Sequence, residues 1–107
     1  MSGTVQVSGR VIAAARALVG VSQEDFASAC GLPVDTLQRL EAAGSAFVDD
    51  EAEVEAVLRG MTHYGVLLIE ETEEFGAGVR LKFTRSDVRQ IARLETEGGI
   101  VASDDAP

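Results

Sequence analysis

Apolar residues at Val11, Ile12, Ala15, Leu18 and Val19 recur at the three- and four-residue spacing of one helix face, with Arg10 and Arg16 off the stripe. The pattern predicts a first helix over 11–19 that ends at Gly20. Ser22 then offers an N-cap, and Gln23, Glu24 and Asp25 fill a first turn in which the helix dipole favours acids, so a second helix starts there and stops at Gly31. Pro33, with its fixed φ, suits the first turn of a third helix, which runs through "VDTLQRLEAA" to Gly44. A further stripe, Val54, Val57, Leu58 and Met61, predicts a fourth helix ending near Tyr64 and Gly65, although Gly60 inside it is a poor helix former.

The period then changes. "VLLIE" from Val66 is a continuous apolar run, and "VRLKF" from Val79 alternates Val79, Leu81 and Phe83 with Arg80 and Lys82, so both read as strands joined by the polar, Gly-rich "ETEEFGAG". Antiparallel pairing of the two brings Arg80 and Lys82 within reach of Glu70 to Glu74. A two-stranded ribbon is marginal alone and leaves open edges, so it either caps the core of a monomer or pairs with the same ribbon in a second subunit. Thr84 or Ser86 can cap a final helix, "DVRQIARLETE", ended by Gly98 and Gly99, in which Arg85, Arg89 and Arg93 form a small basic stripe. The expected fold is mainly α. It has a helical domain over 1–65 with a two-helix corner at 22–44, a small antiparallel β-hairpin over 66–83 in the same compact unit, an extra C-terminal helix over 84–99 and a tail over 100–107.

With 107 residues the chain fits one modest core. The start, "MSGTVQVSGR", lacks a charged segment followed by an apolar one, and no apolar run approaches the roughly 18 residues of a membrane span, so the expectation is a soluble, cytoplasmic protein. Cys30 is the only cysteine, which excludes an intrachain disulfide or a thiolate metal site. The formal net charge of -9 is unevenly placed: residues 1–45 hold three cations and four anions, a balance of -1, whereas 46–107 hold six and fourteen, a balance of -8.

The corner at 22–44 has the parts that let two short helices cross: a small residue, Ala27, a glycine four positions later at the bend, Gly31, and apolar wedges at Phe26, Cys30, Leu32, Leu37 and Leu40. On these residues "RALVGVSQEDFASACGLPVDTLQRLE" resembles the lambda-repressor-like, Cro-like helix-turn-helix proteins, the Xre family of bacterial and phage regulators. A looser likeness through "GMTHYGVLLIEE" and "GVRLKF" extends it over 10–83, similar to small bacterial members that add a short helix and a strand pair. The resemblance implies a helical DNA-binding domain acting as a homodimer on a two-fold related site, with the third helix in the major groove. It also implies that Val34, Asp35, Thr36, Gln38 and Arg39 carry recognition and that Gln23 corresponds to the family's phosphate-contacting glutamine.

Each of these residues also has a plainer reading. Arg39 can donate bidentately to guanine or pair with Asp35 one turn earlier, and Gln38 can read adenine or sit on a solvated face. Asp35 repels phosphate and accepts only from a cytosine amino group. Pro33 and Val34 replace the small hydroxyl residues usual at this helix start in the family, which removes a cap and a phosphate contact. Phosphate neutralisation supplies most non-specific DNA affinity, and Arg10, Arg16 and Arg39 are the front half's only cations, so two subunits would assemble roughly six contacts.

Other constellations point away from catalysis. His63 stands without ligand partners at metal spacing, the G-x-G of "EEFGAGVR" lacks a phosphate-binding context, and Glu70, Glu71, Glu73 and Glu74 fit no calcium loop, so neither a metal, a cofactor nor an enzyme is expected. The expected function is sequence-specific DNA binding and transcription regulation by operator occupancy. The rival is an acidic protein-interaction module that keeps the corner as scaffold and meets a basic partner, such as a polymerase subunit, another regulator or a toxin, the last as an antitoxin.

Overall fold

Three of the four helices begin at a side-chain oxygen that takes up a backbone N–H left unpaired at the helix start. The computed structural model describes residues 5–84, so the expected final helix with Arg85, Arg89 and Arg93, and the tail, lie outside the described residues apart from Thr84. The elements run α1 (Gly9–Val19), α2 (Gln23–Cys30), α3 (Val34–Ala42), α4 (Glu51–His63), β1 (Val66–Ile69) and β2 (Gly78–Leu81). Ser8 Oγ accepts from Val11 N at 3.2 Å, Ser22 Oγ from Asp25 N at 3.0 Å, and Asp50 Oδ1 from Ala52 N at 2.8 Å and Glu53 N at 3.3 Å. Before α3 stands Pro33, which has no side-chain acceptor and occupies the cap position with ψ 147°, one residue outside the helix rather than in its first turn. Gly20 and Gly31 close α1 and α2 at φ of 71° and 75°, a left-handed conformation that costs glycine nothing.

The first helix starts two residues earlier than its apolar stripe predicts, and tertiary packing is the reason. Gly9 lies against the last turn of α3, where a Cβ would overlap the carbonyl oxygen of Leu40 and stand 2.9 Å from that of Glu41. Without a side chain, α1 docks its N-terminus there, with Arg10 N–H donating to the Gly44 carbonyl at 2.7 Å. Gly60 has the same explanation between α2 and α4: a Cβ would overlap Cys30 Sγ and come within 3.3 Å of the Phe26 ring.

These approaches enclose one core. Phe26, Ile12, Leu37, Met61, Val7 and Val57 are its largest fully buried side chains, each contributing roughly 1.5–3 kcal/mol by leaving water. Leu18, expected on the inward stripe of α1, is instead 42% exposed, while Ala56, off the expected stripe of α4, is buried. Strands β1 and β2 pair antiparallel in the register Val66–Leu81, Leu67–Arg80, Leu68–Val79 and Ile69–Gly78. Val66, Leu68, Val79 and Leu81 share the face that packs on the helices. The molecule is therefore mainly helical with a small two-stranded antiparallel sheet, and among the described residues no helix is long and apolar enough to cross a membrane.

Candidate nucleic-acid interface

The bend between α2 and α3 is fixed by its own backbone and by α4. Leu32 N–H donates to the Ala27 carbonyl at 2.9 Å, and Arg59 Nη2 reaches across from α4 to the Cys30 carbonyl at 3.1 Å. Of the five expected wedges, Phe26, Cys30, Leu37 and Leu40 are buried and Leu32 is half-buried against them. Burial of Leu37 and Leu40 decides which side of α3 faces outward. Asp35, Gln38 and Arg39 are exposed, whereas Val34 and Thr36 are half-buried and Val34 packs against the core.

Gln23, half-buried at the start of α2, is brought to this face through a polar chain. Gln38 Nε2 donates to Gln23 Oε1 at 3.4 Å, and Gln23 Nε2 donates to Glu41 Oε1 at 3.0 Å. Glu41 also receives Arg16 Nε and Nη2 at 2.9 and 3.0 Å, the paired geometry in which guanidinium and carboxylate interact most strongly. Arg16 Nη1 donates in turn to the Val21 carbonyl at 3.2 Å. The bond to the Glu41 carboxylate, itself only 8% exposed, raises the Arg16 pKa above its ordinary value. One chain of polar side chains thus spans α1, α2 and α3. The sequence carries no local signal for it, because Arg16 and Glu41 lie too far apart for any helical spacing rule to couple them.

Arg39 pairs with a carboxylate other than the expected Asp35. Its Nη2 lies 2.7 Å from Glu53 Oε2 at the start of α4, not on Asp35. Glu53 is 20% exposed and Arg39 63%, so the pair is anchored on the carboxylate side while much of the guanidinium still meets water. Arg10, exposed at the start of α1, is the remaining cation of the front half and makes no ion pair with the described residues. Beside Arg39 a groove of about 420 Å³ opens between α3 and the start of α4, with Leu40, Ala43, Phe47 and Val48 supplying its apolar lining and Asp49, Asp50 and Glu53 its acid groups. It was not legible in the sequence, because its lining comes from two helices and the segment between them.

Burial pushes the Cys30 thiol up to about 11, which leaves it protonated and unreactive at neutral pH. Tyr64 stacks at 6.0 Å on Phe26 and donates from its hydroxyl to the Asp25 carbonyl at 3.4 Å, and desolvation raises its pKa. His63 is exposed, edge-on to Tyr64. Among the described residues no cluster of His, Cys, Asp or Glu has the arrangement to hold a metal ion. No protein-family model matches the chain, and no curated protein matches its sequence.

Proposed function

We propose that the chain is a sequence-specific double-stranded DNA-binding regulator of the helix-turn-helix class, acting by operator occupancy as a homodimer, without catalysis. The observation that carries this reading is the outward face of α3. Asp35, Gln38 and Arg39 project from a helix whose opposite side is locked by Leu37 and Leu40, on a corner rigid enough to present them in one geometry. Gln38 and Arg39 supply the amide and guanidinium that read purine edges, and Gln23 stands behind them to position the backbone. The family likeness of residues 10–83 points the same way.

The test is selection of bound fragments from a sheared genome at low and physiological salt, followed by anisotropy on the enriched site. Arg39→Ala should weaken binding to that site by about 1–3 kcal/mol. Absence of any enriched fragment at low salt defeats the reading.

A specific observation favours a second reading, the protein-interaction module. Two of the three front-half arginines already hold carboxylates, Arg16 on Glu41 and Arg39 on Glu53, so the surface offered to a polyanion is poorer in free positive charge than the sequence suggests. Under this reading a basic protein partner, not a DNA fragment, is retained by the immobilised chain, and Asp49 and Asp50 beside the groove contribute to its capture.

A further inference from the structure

Strand β1 is apolar on both faces. Val66 and Leu68 turn inward, but Leu67 and Ile69 turn outward and are 46% and 43% exposed. In an antiparallel sheet with one solvated face those outward positions are ordinarily polar. Their cross-strand partners do not cover them: Leu67 faces Arg80, itself exposed, and Ile69 faces Gly78, where even an added Cβ would meet nothing within 4 Å. Among the described residues no third strand pairs with either edge of the ribbon.

The charges on the ribbon are segregated along its length. Arg80 and Lys82 lie at the end beside Gly65, whose carbonyl accepts from Lys82 N–H at 2.8 Å, while Glu70, Glu71, Glu73 and Glu74 lie at the other end. The ion pairs expected between these groups do not form among the described residues. Arg80 stands opposite Leu67 and Lys82 beside Gly65, so about 10 and 17 Å of extended chain separate them from Glu70. A strip that is positive at one end and negative at the other is its own complement once a two-fold axis reverses one copy.

We propose that a second copy of this chain covers the outer face of the ribbon, the two ribbons antiparallel about a two-fold axis, so that Leu67 and Ile69 of both copies are buried together and the Arg80–Lys82 end of each meets the Glu70–Glu74 end of the other. This deepens the assembly part of the function proposed above by naming its surface. It is tested without DNA and without touching α3, so its failure and the failure of DNA recognition are separate results.

The experiment is sedimentation velocity on the full chain at micromolar concentration. The parent chain should sediment as a dimer and L67T/I69T as a monomer with unchanged helical circular dichroism. The charge-reversed variants R80E/K82E and E70K/E71K/E73K/E74K should each be monomeric alone, and an equimolar mixture should recover the dimer, since each end then meets its opposite. A parent chain that is monomeric, whether residues 85–107 or another protein cover the face, overturns the proposal. So does a dimer that survives L67T/I69T, or a mixture that stays monomeric. If L67T/I69T fails to fold, the mixture decides alone.

Discussion

Gly60 sets a local rule against a tertiary one. Helix propensity alone says that alanine there should stabilise α4 by about 1 kcal/mol. The overlap of its Cβ with Cys30 Sγ and the 3.3 Å approach to Phe26 say the reverse, because both neighbours are fully buried and have little room to move. Gly60→Ala is expected to lower stability by about 1–3 kcal/mol in urea unfolding, and the loss should shrink in a Cys30→Ala background, which removes the overlapped atom. Cys30 makes a second expectation. Its folded pKa, about 11, lies above the ordinary 9.0, so only the unfolded state loses the proton in the window between; the stability this contributes is complete below pH 9 and is lost as pH rises towards 11. Unfolding midpoints across that range, compared with Cys30→Ala, check it. In the sequence Gly60 reads as a flaw and Cys30 as a core residue. The second was legible from helical spacing, but the first depends on a helix elsewhere in the chain crossing at that point, which no window of neighbours reports.

Among the elements, boundaries set by caps and glycines were legible and those set by packing were not. Ser22 and Gly31 delimit α2 as read from the sequence, whereas α1 begins at Gly9 because a bare backbone there fits the end of α3. The hairpin was legible from the apolar run at Val66 and the alternation from Val79, yet which of its apolar residues face outward follows from the register, which the sequence leaves open. The third helix carries the weakest start, an uncapped Pro33, and is held instead by its flanks: Glu41 to Arg16 of α1, and Arg39 to Glu53 of α4. Removing these supports should have unequal effects. Glu41→Ala leaves Arg16, 26% exposed, without its carboxylate and Gln23 without an acceptor, and is expected to lower stability by about 2–3 kcal/mol in urea unfolding. Asp50→Ala, which removes an exposed cap from α4, should lose about 1 kcal/mol.

On the scale of the whole molecule, the net charge of -9 makes electrostatics the deciding constraint on any anionic ligand. Arg16 is held by the nearly buried Glu41, whereas Arg39, though paired with Glu53, is 63% exposed, so the proposed two-fold assembly would offer Arg10 and Arg39 from each copy, four cations rather than the six expected from the sequence. The plot of log affinity for a selected DNA site against log salt should therefore have a slope of about -4. Glu53→Gln should raise affinity for unrelated DNA more than for the selected site, as anisotropy on both will report. The reason lies in how α3 is braced. Glu53 is a resident anion already seated on that helix's sole cation, and under the proposed function an incoming DNA group would have to displace it. A loosely placed DNA strand would gain too little to do so, whereas a well-aligned one would compensate through neighbouring contacts. On that reading the guanidinium would behave less like a magnet than like a latch, opening only for a visitor that arrives in register.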